Sequence, residues 1–326
     1  MKKGLVTLMH TPEARQALID RTRGQCEFTF WDKSWTKEQY HTALKESHIL
    51  IGDPANEDFA YCENLELLQI SGSGVNHYVQ GGKFPQGAIL CCMTGQYGNL
   101  IAEHMLGLMM SLCRRIPEYR VQQHQHSWQI LLHDKPVEDS TVLILGAGDI
   151  GTTLAKWLRP MAGRILGIRR STGAFPDCYD EMGTLENLDE FLPQADFVLA
   201  ALPQTYETMG ILNEDRLRKM KKDAVLVNAG RGSLIDQQAL VKLLEEGWFW
   251  GVGLDVTTPE PLPQEHPLWN QSRVIITPHA AGNSYAPGSP LDRKIWAYAI
   301  ENVGRFLDGQ VPENQVDFQT GYRSHR

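Results

Sequence analysis

Short apolar runs separated by longer amphipathic stretches set the pattern of the first third of the chain. Leu5 to Met9, Ile49 to Ile51, Leu67 to Ile70 and Ala88 to Cys92 read as strands, and alternation of such runs with helical stretches predicts a parallel sheet wrapped by helices. After the first run, Thr11-Pro12-Glu13 has the form of an N-cap followed by proline at the first helical position, and Gly24 closes the helix. Ser71-Gly72-Ser73-Gly74-Val75-Asn76 follows the third run. A glycine-rich turn there exposes backbone N–H groups at the carboxyl edge of the sheet.

From Gly98 to about Tyr119 the pattern changes to a long helix that is apolar on most sides, and a domain boundary is expected near its start. Its methionines read as core filling. A second strand-helix series begins with Thr141 to Leu145, which Gly146 ends, and continues at Arg164 to Ile168, Asp196 to Ala200, Ala224 to Asn228, Trp250 to Leu254 and Arg273 to Ile276. Five or six strands at this spacing, separated by helices such as Gln237 to Glu246, describe a doubly wound sheet. A last helix, about Asp292 to Leu307, leads into the tail.

Composition narrows the function classes. With 326 residues, 42% of them hydrophobic and 21% charged, the chain supports more than one core and is neither a mini-scaffold nor disordered. Lysine and arginine number 31 against 39 acidic residues, a formal charge of −8, which disfavours a nucleic-acid partner. No stretch approaches a membrane span, and the opening residues are too short for a signal peptide before His10 and Pro12. A cytoplasmic protein with no membrane partner is expected. Cys26, Cys62, Cys91, Cys92, Cys113 and Cys178 lie scattered in apolar surroundings and read as buried free thiols. No metal site is expected; His124-Gln125-His126 lacks a third ligand and reads as a polar loop.

Gly146-Ala147-Gly148-Asp149-Ile150-Gly151 fits G-x-G-x-x-G between a strand and a helix running Thr152 to Leu158. The glycines permit a tight turn and close backbone approach, so a dinucleotide pyrophosphate can rest on the positive helix end. At the end of the next strand, where an acid would accept a bond from a ribose 2′-hydroxyl, the chain carries Arg169-Arg170-Ser171. Two guanidiniums and a hydroxyl suit a 2′-phosphate. NADP(H) is therefore the expected cofactor, with NAD(H) as the second choice.

Three further segments place ionisable groups just beyond strand ends: Val227-Asn228-Ala229-Gly230-Arg231-Gly232, Leu254 to Pro263 with Asp255 and Glu260, and Ile276-Thr277-Pro278-His279-Ala280-Ala281-Gly282. In this order and spacing, from the Ser73-Gly74-Val75 turn to the C-terminus, the sequence resembles the D-isomer-specific 2-hydroxyacid dehydrogenases. Arg114-Arg115, Tyr119 to Gln123, Trp128, Glu260 to Pro263 and Pro267-Leu268-Trp269 look most like the NADPH-preferring glyoxylate/hydroxypyruvate reductases of that family. The resemblance implies that His279 is the general acid, that Glu260 fixes its tautomer and favours its charged form, and that Arg231 binds the substrate carboxylate and carbonyl. It also implies that Ser73, Gly74 and Val75 bind the substrate, that Asp255 lies near the nicotinamide carboxamide, and that Leu202, Pro203, Thr208, Ala229 and Gly282 join the cofactor site. Asn76 stands where relatives often carry aspartate and Thr257 where an aromatic is common, which concerns the pocket shape. Trp31, Trp35, Tyr97 and Trp128 are candidates to roof the pocket, with ordinary packing as the alternative.

The fold class expected from this resemblance is α/β, with two Rossmann-like doubly wound parallel-sheet domains and the active site in the cleft between them. Residues 1–96 and 291–326 would form a flavodoxin-like substrate domain, and residues 97–290 the dinucleotide-binding Rossmann domain. The expected activity is reduction of a small 2-keto acid to the D-2-hydroxy acid, in a homodimer formed through the long apolar helix. The alternatives are a dehydrogenase for a larger 2-hydroxy acid and a dinucleotide-sensing corepressor-like protein.

Overall fold

The computed structural model describes residues 1–171, 173–282 and 285–323, in two units: Met1–Gln96 with Tyr285–Arg326, and Tyr97–Ser284.

The first unit begins β1 (Lys2–Val6), α1 (Pro12–Arg21), β2 (Cys26–Phe30), α2 (Lys37–Glu46), β3 (Ile49–Ile51), β4 (Leu67–Gln69), α3 (Asn76–Gln80) and β5 (Ile89–Cys91). Its five strands are parallel in the order β2-β1-β3-β4-β5. Thr11 caps α1 as its sequence requires: Oγ1 accepts the Ala14 N–H at 3.2 Å, with Pro12 in the first turn. The central strands β3 and β4 are buried throughout, which is why they read as unbroken apolar runs. Strand β2 was not among the expected strands. It is an edge strand of alternating burial, with Glu27 and Thr29 turned outward.

The second unit holds α4 (Gly98–Cys113), α5 (Ile116–His124), β6 (Thr141–Leu145), α6 (Asp149–Leu158), β7 (Arg164–Ile168), β8 (Glu181–Gly183), α7 (Leu188–Phe191), β9 (Phe197–Ala200), α8 (Glu214–Lys219), β10 (Val225–Asn228), α9 (Gln237–Glu245), β11 (Gly251–Leu254) and β12 (Val274–Ile276). All seven strands are parallel, in the order β12-β11-β10-β9-β6-β7-β8. The expected five or six strands omitted β8, a three-residue edge strand. Alternate residues face two cores: Leu143, Leu145, Val198 and Ala200 pack on one side, and Val142, Ile144, Phe197 and Leu199 on the other. Helix α4 lies on the second side against α6, β10 and β11, so Met105 and Met109 are fully buried.

The single helix expected to reach Tyr119 is instead two. Arg115 adopts φ 56°, and its guanidinium holds the break by donating to the Glu118 carboxylate at 2.7 and 3.0 Å and to the Leu132 carbonyl at 2.8 Å. The chain then returns to the first unit through α10 (Pro290–Leu307) and the short pair β13 (Val316–Asp317) and β14 (Tyr322–Arg323). The return falls at 284/285 rather than at 290/291. The residues before α10 are tied to it, since the Asp292 carboxylate accepts the Gly288 N–H at 2.7 Å. All six cysteines are free and buried. Among the described residues no helix is long and apolar enough to cross a membrane, and no three His, Cys, Asp or Glu side chains gather as a metal site.

Candidate active site

The parallel order of the second sheet brings the turns after β6, β7, β9, β10, β11 and β12 to one edge. The turn after β6 is built for close approach. Gly146 takes φ 104°, and a Cβ there would meet the Ala201 backbone at 2.9 Å; a Cβ on Gly151 would sit 2.2 Å from the Gly146 carbonyl oxygen. Gly148, by contrast, has nothing within 4 Å of where a Cβ would be. It heads α6 with no side-chain cap, so the first N–H groups of the helix have no capping acceptor. Open space in front of an uncapped helix end suits a pyrophosphate. Asp149 and Ile150 occupy the first turn, Asp149 exposed and Ile150 half-buried.

The Gly146 and Ala147 N–H groups both donate to the Ile168 carbonyl, at 2.9 and 2.8 Å, which fixes the end of β7 beside the glycine turn. Arg169, half-buried there, donates one N–H to the Gly173 carbonyl at 2.6 Å, while Arg170 and Ser171 are exposed. The donor set fits a phosphate on a ribose. After β9, the Thr208 hydroxyl donates to the Pro203 carbonyl at 2.7 Å and accepts the Thr205 N–H at 2.8 Å. Thr208, expected to touch a cofactor, is buried and organises the 203–208 turn. Leu202 and Ala229 are likewise buried, and Gly282 is half-buried against Tyr97 and Ile101.

His279 and Glu260 meet: Nδ1 lies 2.8 Å from Oε2, and the two side chains are 41% and 38% exposed. The second oxygen of Glu260 accepts the Thr257 N–H at 3.1 Å. Thr257 is itself buried, and its hydroxyl donates to the Pro259 carbonyl at 2.9 Å, bracing the turn just before Glu260. Gln237 clasps the same turn, accepting the Thr258 N–H at 2.6 Å and donating to the Thr258 carbonyl at 2.7 Å. The bonds Thr258-Pro259 and Glu260-Pro261 are both cis.

Arg231 follows β10 in extended backbone. Asn228 sets it from below, its side-chain amide donating to the Arg231 carbonyl at 2.9 Å and accepting the Gly230 N–H at 3.0 Å. The guanidinium donates to the Gly230 carbonyl at 2.6 Å. Desolvation pulls the Arg231 pKa below its ordinary value and the Glu260 carboxylate opposes that pull; an arginine so placed stays charged at neutral pH.

Asp255 is buried, and its carboxylate accepts the Thr277 hydroxyl at 2.6 Å and the N–H groups of Ala280 and Ala281 at 2.9 and 3.2 Å. These bonds brace the turn that carries His279, whose φ is 54°. His104 of α4 completes the bracing, with Nε2 2.9 Å from the Thr277 hydroxyl. His104 and Gln237 were absent from the sequence expectations; the only signal for His104 was a titratable ring inside an otherwise apolar helix. Ser73, Gly74 and Val75 belong to the first unit, where they join β4 to α3. The Asp53 carboxylate anchors their turn by accepting the Ser71 N–H at 3.1 Å and the Ser71 hydroxyl.

Residues 106–281 match the family model described as D-isomer specific 2-hydroxyacid dehydrogenase, NAD binding domain. The chain is 35% identical over 278 residues to a glyoxylate reductase of Korarchaeum cryptofilum, covering 82% of this chain and 81% of that one. Among solved structures it resembles a D-isomer specific 2-hydroxyacid dehydrogenase family protein from Aeromonas salmonicida, with TM-score 0.85, 29% identity and coverage of 97% and 99%. It also resembles the NADPH-dependent glyoxylate/hydroxypyruvate reductase of Sinorhizobium meliloti, solved with NADP and sulfate, with TM-score 0.82, 25% identity and coverage of 99% and 100%.

Proposed function

The chain belongs to the D-isomer-specific 2-hydroxyacid dehydrogenase family, and on that premise we propose that it reduces a small 2-keto acid, of glyoxylate or hydroxypyruvate type, to the D-2-hydroxy acid with NADPH preferred over NADH. The observation that carries this reading is the His279–Glu260 pair at 2.8 Å, with a charged Arg231 on the neighbouring strand end. Nicotinamide dinucleotide, when bound, supplies the hydride. Glu260 on Nδ1 fixes the tautomer of His279, so Nε2 is the nitrogen that protonates the carbonyl oxygen in reduction and takes the proton back in oxidation. Arg231 binds the carboxylate and stabilises negative charge developing on the carbonyl oxygen. For the dinucleotide, Gly146, Gly148, Asp149, Ile150 and Gly151 would hold the pyrophosphate, and Arg169, Arg170 and Ser171 a 2′-phosphate.

We further propose a homodimer. The surface is not the long apolar helix expected from the sequence, whose Met105, Leu108 and Met109 are buried in the core of the second unit; it is Trp128, Ile130 and Leu132, which follow α5 and are 99%, 82% and 68% exposed, an apolar run that a soluble monomer rarely leaves open.

The test is dinucleotide oxidation over a panel of glyoxylate, hydroxypyruvate, pyruvate, phenylpyruvate and longer 2-keto acids, with NADPH beside NADH. Faster turnover with NADPH and a small keto acid is expected. NADPH binding without turnover of any acid would replace this reading with the sensor, and a strong preference for a longer acid would replace the substrate.

A further inference from the structure

Helix α4 runs over β11 in a fixed register. A Cβ on Gly251 would meet the Leu112 side chain at 2.8 Å, and a Cβ on Gly253 would meet Leu108 at 3.2 Å, so two residues forward on the strand correspond to four residues back on the helix. The steps match, because four helical residues rise about 6 Å and two strand residues about 6.6 Å. The next pair in this series is Asp255, just past the end of β11, with His104. There the glycines that admit the helix give way to a buried carboxylate, and the apolar helix face gives way to an imidazole.

The contact has a direction. Nε2 of His104 lies 2.9 Å from the Thr277 hydroxyl and 3.4 Å from Oδ1 of Asp255. The hydroxyl has one proton, which it donates to that same Oδ1 at 2.6 Å. Toward His104 it can therefore only accept, and Nε2 must carry a proton. Among the described residues Nδ1 of His104 has no hydrogen-bond partner, and the side chain is 25% exposed, so Nδ1 is left to water. The proposed reaction assigns no task to this ring.

We infer that His104 is a positioning residue: its Nε2–H commits the Thr277 hydroxyl to Asp255, and through that carboxylate it holds the turn that carries His279. Asp255 receives its shortest bond from Thr277, and its carboxylate in turn accepts the N–H groups of Ala280 and Ala281, the two residues that follow His279. Without the ring, the hydroxyl is free to turn to water, and His279 is held less closely at the place from which it passes its proton. The kinetic consequence rests on the proposed reaction. The direction of the hydrogen-bond chain does not.

The test has one arm with turnover and one without, both on the full chain. His104→Phe fills the space of the ring and removes the donor. It should lower kcat about three- to ten-fold and leave KM for the keto acid unchanged, and His104→Gln, which keeps an N–H donor, should restore most of the rate. Thr277→Val should match His104→Phe, and the double variant should be no slower than either alone. Melting temperatures report folding, and His104→Gln carries the test if the bulk of phenylalanine disturbs α4. In the second arm, nitrogen-15 histidine spectra of the unliganded protein at about pH 8, where an ordinary imidazole is neutral, should show His104 as the Nε2–H tautomer, with a ring proton that exchanges more slowly in the wild type than in Thr277→Val. An Nδ1–H tautomer overturns the inference, as do an unchanged kcat in His104→Phe, a His104→Gln variant as slow as His104→Phe, and losses that multiply in the double variant. If no keto acid is turned over, the proposed function fails, and the tautomer and its exchange decide the inference alone.

Discussion

His279 holds a φ of 54°, a region that costs a non-glycine residue about 1 kcal/mol or more. Its backbone N–H donates to the Asp255 carbonyl at 2.8 Å, and the next two N–H groups donate to the Asp255 carboxylate. Replacing that acceptor with an amide turns an N–H₂ toward at least one of those donors. Asp255→Asn should therefore lower kcat about ten- to hundred-fold and cost about 1 to 3 kcal/mol of stability. Steady-state kinetics beside a thermal melt checks this, and an unchanged kcat would show that the turn holds His279 without the carboxylate. A second prediction sits at the end of β7. A 2′-phosphate bonded by Arg169 gains about 1.5 to 3 kcal/mol per charged hydrogen bond, so Arg169→Ala should weaken NADPH about ten- to hundred-fold and spare NADH. Equal losses with both dinucleotides, measured by fluorescence titration, would instead assign Arg169 to holding the turn through Gly173, the bond it makes in the structure.

At the level of elements, the same glycine turn yields a stability prediction. A methyl group on Gly151 has no room, with the Gly146 oxygen at 2.2 Å and the Ile144 side chain at 2.9 Å. Gly151→Ala must push α6 off β6, costing about 1 to 3 kcal/mol of stability and displacing the helix end from the pyrophosphate position. Gly148→Ala, with open space around it, should keep the stability and lose dinucleotide affinity; a melt and a binding titration on both variants separate the two roles. This turn was legible in sequence because glycine is required there by close contacts that no other residue satisfies. Runs such as Val142 to Leu145 were legible because both faces of the strand are buried. Where an edge strand has a wet face or little apolar surface, as in β2 and in β8 with its Glu181-Met182-Gly183, the apolar run that marks a strand is missing. The break at Arg115 carries no glycine or asparagine to announce it, since a side-chain ion pair with Glu118 and a bond to Leu132 secure it from a distance. His279 and Glu260 could be paired from sequence only through resemblance; that Asp255, Thr277 and His104 brace the turn depends on strand register, which the sequence does not display.

For the whole molecule, two predictions concern surface and interior. If Trp128, Ile130 and Leu132 cover one another's counterpart in a second copy, the combined Trp128→Ser, Ile130→Ser and Leu132→Ser variant should shift the mass in light scattering from dimer to monomer, with its fold retained by circular dichroism; a wild-type monomer would remove the proposal. The interior prediction rests on cysteine. Burial pushes the thiols of Cys26 and Cys62 up to about 12 and that of Cys113 up to about 11, and raises Cys91 and Cys178 as well. At pH 8 a thiol with a pKa near 12 is about one part in ten thousand thiolate, against roughly a quarter for an ordinary cysteine. The native protein should thus resist Ellman's reagent at pH 8, with all six thiols reacting once it is unfolded. The same shift fixes the sign of the pH dependence. Above the ordinary thiol pKa the unfolded chain loses protons that the folded chain keeps, so the folded state binds more protons and its stability falls as pH rises. Each such thiol removes up to about 1.4 kcal/mol per pH unit between its unfolded and folded pKa values. Stability is therefore full below about pH 8 and should decline between pH 9 and 11, which thermal melts across that range measure. Rapid labelling of the native protein, or a melting temperature flat to pH 11, would mean that the cysteines are open to water in solution.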